Sequence, residues 1–126
     1  MAEVSGVKEV LRPGAAFPDF VTCLPRADIP LEGVEGRISQ AADHQILFFD
    51  IAPIGELPLH HHGAQWGIVV DGEMDLTIDG ATRTYRQGDS YFIPAGVAHA
   101  AAFRTRVRVI DVFADVARYT PLGDDA

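Results

Sequence analysis

Short runs of alternating apolar and polar residues dominate the chain. In residues 74–78 apolar side chains alternate with polar ones, which is the pattern of a β-strand that buries one face. Residues 46–51 are rich in β-forming side chains and are followed by Pro53, which favours a second strand. Similar runs occupy residues 68–70, 81–86, 91–93, 97–103 and 107–113. No long amphipathic helical pattern is found.

Turn signals separate these runs. Asp71-Gly72 and Asp79-Gly80 are dipeptides that favour two-residue β-hairpin turns, because both positions tolerate a positive φ. Strands that recur at a spacing of roughly ten residues indicate an antiparallel sandwich or barrel. The sequence therefore predicts an all-β fold.

The length of 126 residues fits one domain. We divide it into an N-terminal arm and loop (residues 1–33), a barrel (residues 34–113) and a C-terminal tail (residues 114–126). Because an arm that precedes a small barrel can pack across a second subunit, we expect a homodimer.

The charge balance narrows the classes of partner. A net charge of −8 does not suit a protein that binds nucleic acid. Arg104, Arg106 and Arg108 alternate, as on the outer face of a strand. The chain has neither a membrane-length apolar run nor a signal-peptide pattern, so we expect a cytoplasmic protein without a membrane partner. Cys23, the single cysteine, is expected to be a small buried residue.

Four of the five histidines fall in two places. His60, His61 and His62 are consecutive, and His99 follows at the end of another predicted strand. Imidazole is the commonest metal-ligand side chain at neutral pH. On a strand, His60 and His62 would share one face about 7 Å apart, and His99 could approach from across the barrel. The alternative is a surface loop that is rich in histidine.

Two glycine-bounded motifs carry a resemblance to a known family. The first motif is matched by Gly55, His60, His62, Gln65 and Gly72. The second is matched by Gly88, Pro94, Gly96 and His99. In these residues the chain resembles the cupins, and within them the small bacterial cupins similar to pectin-degradation proteins that have Gln at the fourth ligand position.

The resemblance implies a single cupin domain with a double-stranded β-helix, or jelly-roll, barrel and a metal inside it. His60, His62, Gln65 and His99 would be the ligands. Three imidazoles leave positions on the metal open, as in catalytic or ligand-binding sites. Imidazole and amide ligands suit Zn, Ni, Fe, Mn or Cu, and the ligand set does not choose among these divalent ions.

The chain departs from the family motifs at three points. The spacer between Gly55 and His60 is one residue short, Gln65 replaces a glutamate, and Phe103 replaces a frequent asparagine. If the strand slips by one residue, His61 replaces one of the histidine ligands. That register would place Leu59 at the other position, where it cannot bind a metal, so the first register is favoured.

Gln65 changes the chemistry that is expected of the metal. Its neutral carbonyl oxygen would leave the full charge of a divalent ion in place, which strengthens Lewis acidity and disfavours oxidising chemistry. The alternative is that Gln65 only forms a hydrogen bond near the metal.

Asp111 and Tyr91 are candidate catalytic residues. Asp111 alternates with Val107, Val109 and Phe113 and therefore faces the same way as an apolar row, which nominates it as an acid or base. Tyr91 would supply a phenol inside the barrel. A structural role is the alternative for both residues.

Three functions are consistent with these features. The first is a metal-dependent isomerase or lyase that uses a divalent ion as a Lewis acid on a small sugar-acid or keto substrate. The second is a non-catalytic module that binds or senses a small ligand. The third is an iron-dependent dioxygenase. One barrel fold supports many functions, so the fold does not choose among them.

Overall fold

Two antiparallel sheets face each other and enclose the core, as the alternating runs predict. The computed structural model describes residues 17–123. Its elements are α1 (Asp19–Thr22), β1 (Val34–Gln40), β2 (Gln45–Ile51), β3 (Gly55–His60), β4 (Gln65–Asp71), β5 (Glu73–Ile78), β6 (Ala81–Arg86), β7 (Ser90–Ile93), β8 (His99–Phe103) and β9 (Val107–Phe113). The predicted jelly-roll barrel is confirmed.

The strand order explains how distant residues meet. One sheet has the order β1-β2-β9-β4-β7, and the other has the order β3-β8-β5-β6. Asp79 and Gly80 both have positive φ (50° and 83°) and join β5 to β6 as a hairpin, as predicted. The hairpin predicted at Asp71-Gly72 is wrong, because the chain there passes from β4 in one sheet to β5 in the other.

Strand alternation supplies the core. Leu47 and Val107 are fully buried, and Ile38, Val69 and Ile93 are 1% exposed. One expectation about an apolar residue is wrong. Cys23 is exposed beside α1 rather than buried. Trp66 is 42% exposed on the outward face of β4, because Gln65 and Gly67 on either side of it point inward.

The outward face of the five-stranded sheet is ordered in rows. The first row is apolar and crosses four strands through Ile46, Val112, Trp66 and Phe92. The last row is charged and runs through Asp50, Arg108 and Asp71. The arginines near this end are paired with carboxylates, at 2.6 Å for Arg106 and Asp50 and 2.7 Å for Arg108 and Asp71. The homodimer stays a prediction.

Segments on either side of the barrel pack onto β1 and onto each other. Arg26 forms a bridge with Arg37 of β1, and Ala27 forms one with Pro121. Residues 114–122 therefore lie along the barrel end, although residues 115–119 do not form a helix. The first part of the N-terminal arm and loop, residues 1–16, and the end of the tail, residues 124–126, lie outside the described residues. Among residues 17–123, no helix has the length and apolarity needed to cross a membrane.

Truncation of a core leucine should be costly. Leu47→Ala leaves a cavity between the sheets, because Leu47 is fully buried, and should lower the free energy of unfolding by about 2–5 kcal/mol. Leu59→Ala is the matched control, since Leu59 is 65% exposed, and should change it by less than about 0.5 kcal/mol. Urea unfolding followed by circular dichroism measures both values. Equal losses in the two variants would contradict the assigned core.

Candidate metal centre

Three histidines meet at one end of the barrel. The potential ligand nitrogens of His60, His62 and His99 all lie within 4.8 Å of one another, which is close enough to hold a metal ion. The Nε2 atoms of His62 and His99 are 3.1 Å apart. His61 is exposed and lies outside this cluster. The structure therefore groups the three histidines that the favoured register predicted.

The cluster draws on two strands and a loop. His60 ends β3 and pairs with His99, which begins β8. His62 lies beyond the end of β3, so the expectation that His60 and His62 alternate on one strand is wrong. The loop is fixed instead by hydrogen bonds, from Gly96 N to His62 O (2.8 Å) and from Gly63 N to the Asp115 carboxylate (2.8 Å). The Pro94-Ala95-Gly96 turn thus holds the His62 loop as well as leading into β8.

Backbone carbonyls orient all three rings. The Nδ1 atom of His60 contacts Pro58 O (2.9 Å), that of His62 contacts Gly63 O (2.8 Å) and that of His99 contacts Val97 O (2.9 Å). A carbonyl oxygen can only accept a hydrogen bond, so each Nδ1 carries the proton and each Nε2 keeps a lone pair. Metal-binding histidines in proteins are held in this way.

The converging lone pairs fit a cation. Two Nε2 acceptors at 3.1 Å repel each other unless a positive charge lies beside them. Burial lowers the pKa of His62 and of His99, and positive charge on Arg118 and on the neighbouring His60 ring lowers both further. Both rings are therefore neutral at pH 7, which is the form that binds a metal. The residues present thus suit a divalent transition metal.

A buried carboxylic acid lies in the same cavity. Asp111 is 4% exposed and points inward from β9. Burial raises the pKa of Asp111 to about 6, although hydrogen bonds from Gln65 and Tyr91 partly lower it. Tyr91 donates its hydroxyl proton to Asp111 Oδ1 at 2.7 Å, and burial raises the pKa of Tyr91 well above its usual value.

Gly67 makes the contact between Tyr91 and Asp111 possible. The register places Gly67 between them, opposite Tyr91 of β7 on one side and opposite Asp111 of β9 on the other. A Cβ atom at Gly67 would collide with the Asp111 carboxylate and with the Tyr91 hydroxyl. The tyrosine hydroxyl thus crosses the glycine to reach the acid, and sequence inspection did not identify this role of Gly67.

Gln65 lies beside Asp111, where a glutamate would have a different effect. Its side chain lines the same cavity as Asp111 and helps to lower the pKa of that carboxyl. An amide can donate through its NH₂ group and still present its carbonyl oxygen elsewhere, whereas a glutamate would bring a second negative charge to Asp111. Ligation of a metal by Gln65 and hydrogen bonding beside the metal therefore both stay predictions.

The cavity between the sheets has a volume of about 100 Å³. The three histidines, Gln65, Tyr91 and Asp111 all line it, so the structure brings every predicted site residue together. Arg118 and Tyr119 from the C-terminal segment also line it. These two were missed, because no strand pattern or motif marks residues 114–122.

The fold is similar to that of known proteins. The family model described as "Cupin domain" matches residues 47–113. A search of curated proteins gives no match. Among solved structures, KdgF from a Halomonas species has a TM-score of 0.62 at 22% identity and covers 79% of this chain and 88% of its own.

Two further structures share the fold. An RmlC-like cupin from Shewanella frigidimarina has a TM-score of 0.63 at 24% identity and covers 80% of this chain and 87% of its own. A variant of oxalate decarboxylase from Bacillus subtilis has a TM-score of 0.64 at 18% identity and covers 74% of this chain and 28% of its own. The family match spans more than half of the sequence and includes both motifs, and the chain belongs to the cupin family.

Proposed function

We propose that this cupin is a metal-dependent enzyme that moves a proton on a small keto acid or unsaturated sugar acid. His60, His62, His99 and the carbonyl oxygen of Gln65 would hold a divalent ion. The observation that carries the proposal is the convergence of three Nε2 lone pairs beside a buried carboxylic acid in one cavity. When bound, the ion would act as a Lewis acid on a carbonyl or hydroxyl oxygen of the substrate.

Asp111 is the group that would transfer the proton. It is the buried acid of the cavity, and its carboxylate accepts a hydrogen bond from Tyr91. A fixed carboxylate that can take a proton and return it is what an isomerisation or tautomerisation next to a carbonyl requires. Tyr91 acts through Asp111 by fixing the orientation of its carboxylate.

Arg118 would recognise the negative charge of the substrate. Its side chain lines the cavity that holds the histidines. Within residues 17–123, no acceptor is bonded to its Nε, which is buried. An arginine at such a place binds a carboxylate well, because the guanidinium offers two parallel donors. The resemblance to pectin-degradation cupins likewise favours an unsaturated sugar acid.

Loss of one histidine should abolish metal binding. His99→Ala removes a lone pair from the cluster, and the loss of affinity should exceed the roughly 10–100-fold cost of losing an outer-shell partner. His61→Ala is the matched control, because His61 lies outside the cluster. Elemental analysis of protein purified without added metal, followed by nickel titration calorimetry, measures both variants. Equal metal content in His99→Ala and His61→Ala would overturn the site.

Proton transfer can be observed directly by deuterium incorporation. We expect metal-loaded protein in D₂O to place deuterium on the carbon next to the carbonyl of pyruvate or of a ketonised uronic acid, as followed by proton NMR. Asp111→Asn should slow this exchange by about 10²–10⁴-fold while retaining the metal. Asp43→Asn, at a carboxylate that is 88% exposed, should exchange normally. Equal catalysed rates in both variants would overturn the role of Asp111, whereas an unaltered protein that exchanges no faster than the metal ion alone would favour the non-catalytic ligand-binding module.

Asp111 should titrate near neutrality in the metal-free protein. We expect a midpoint of about 6 for its carboxyl carbon by NMR. Tyr91→Phe should raise that pKa, because the lost hydrogen bond stabilises the ionised form. Tyr85→Phe is the control, since Tyr85 packs edge-on against Tyr91 but does not bond Asp111.

The raised pKa of Asp111 also makes the stability of the folded state depend on pH. Because the folded pKa of Asp111 is raised, its contribution favours the folded state below the unfolded pKa of about 3.9. That contribution is lost as the pH rises through about 6. A carboxyl that titrates at its unfolded value in the metal-free protein would contradict the assigned environment.

A further inference from the structure

The C-terminal strap, which we define as residues 114–122, closes one wall of the cavity. It follows β9 directly and returns along the barrel end to the segment before β1. Ala114 N donates to Ala64 O, and Asp28 N donates to Thr120 O, each at 2.8–2.9 Å. Leu122 N donates to Arg26 O at 2.8 Å. Both ends of the strap are thus fixed by backbone bonds.

One buried side chain fixes the middle of the strap. Gln45, at the start of β2, is fully buried. Its Nε2 donates to Tyr119 O at 2.7 Å, and its Oε1 accepts from Tyr119 N at 3.0 Å. The amide therefore pairs with both backbone groups of one residue, as a neighbouring strand would.

A second glutamine supports the first. Gln45 Nε2 also donates to Gln40 Oε1 at 2.7 Å, and Gln40 Nε2 donates to Val116 O at 2.9 Å. Gln40 itself is exposed, so its side-chain bonds can be removed without opening the core. The pair forms a short amide chain from the inside of the barrel to the outer side of the strap.

The strap places a positive charge and an aromatic ring in the cavity. The Tyr119 ring packs edge-on against Phe49 and Phe113, with centroids 5.7 and 5.6 Å away. The guanidinium carbon of Arg118 lies 4.8 Å from the centre of the Tyr119 ring. Arg118 is thus held by its own backbone and by stacking on Tyr119, and both depend on the position of residue 119.

We propose that Gln45 is a positioning residue that gives the site its preference for an anionic substrate. By fixing the backbone of Tyr119, Gln45 holds the adjacent Arg118 in the wall of the cavity that the histidines also line. The inference rests on the proposed function. The strap would add substrate specificity to a site whose metal ligands and acid come from other parts of the barrel. Gln45 does not contact the substrate and acts through the strap.

Paired probes separate charge recognition from metal binding. Titration calorimetry on the nickel-loaded protein compares pyruvate with pyruvamide, its uncharged amide. We expect pyruvate to bind about tenfold more tightly, as a charge-assisted arginine bond provides. Arg118→Gln should bring the ratio of the pyruvate affinity to the pyruvamide affinity close to one. Arg106→Gln is the control, because that guanidinium pairs with Asp50 at the other end of the outer face and should leave the ratio unchanged.

The decisive variant is Gln45→Met, which keeps the volume and removes both bonds to Tyr119. We expect the pyruvate to pyruvamide ratio to fall to about that of Arg118→Gln, with nickel stoichiometry unchanged. A merely structural glutamine would instead lower the melting temperature and leave the ratio as in the wild type, which would overturn the proposal. Gln40→Ala gives a second measurement if Gln45→Met does not fold, and its ratio should fall about threefold, or roughly 0.7 kcal/mol.

The controls distinguish the two levels of the proposal. A wild-type protein that binds no nickel refutes the proposed function itself. A wild-type protein that binds nickel but does not prefer pyruvate refutes only the role of Arg118 and Gln45. Retention of the full ratio in both glutamine variants refutes the role of Gln45 alone.

Discussion

Three hydrogen bonds from imidazole Nδ1 atoms to backbone carbonyls are the interactions on which the site depends. They fix the proton on the outer nitrogen of His60, His62 and His99 and so direct three lone pairs toward one point. The acceptors lie at the end of β3, in the following loop and just before β8. The chemical state of the rings is therefore set by backbone positions, and only the closed barrel brings those positions together.

The two sheets contribute different functions. The four-stranded sheet carries His60 and His99 on paired strands, and the five-stranded sheet carries Tyr91, Gln65 and Asp111. The cavity between them would join a cation site to an acid. Burial alone makes the acid hard to ionise, and the bonds from Tyr91 and Gln65 partly offset that cost. The neutral side chain of Gln65 is thus explained by its neighbour Asp111, independently of any metal.

Alternation was enough to predict the jelly-roll fold and the inward orientation of Asp111, because strand geometry leaves a side chain only two faces. Motif spacing was enough to select His60, His62 and His99 over His61. The Asp-Gly turn signal gave the wrong connection at Asp71-Gly72, since a hairpin and a crossover between sheets can use the same turn residues. Neither alternation nor motif spacing could identify Arg118 or Gln45. Their relation depends on Tyr119, which lies 74 positions after Gln45 in a segment without regular structure.

The bond from Gly63 N to Asp115 ties the loop that carries His62 to the strap that carries Arg118. A Cβ atom at Gly63 would collide with that carboxylate, so the two segments touch with no space to spare. Opening the strap to admit or release a ligand must therefore pull on the loop that bears one of the three rings. In the proposed enzyme, turnover and the residence time of the metal would thus be linked, and a chelator would remove the ion faster during turnover than from the resting protein.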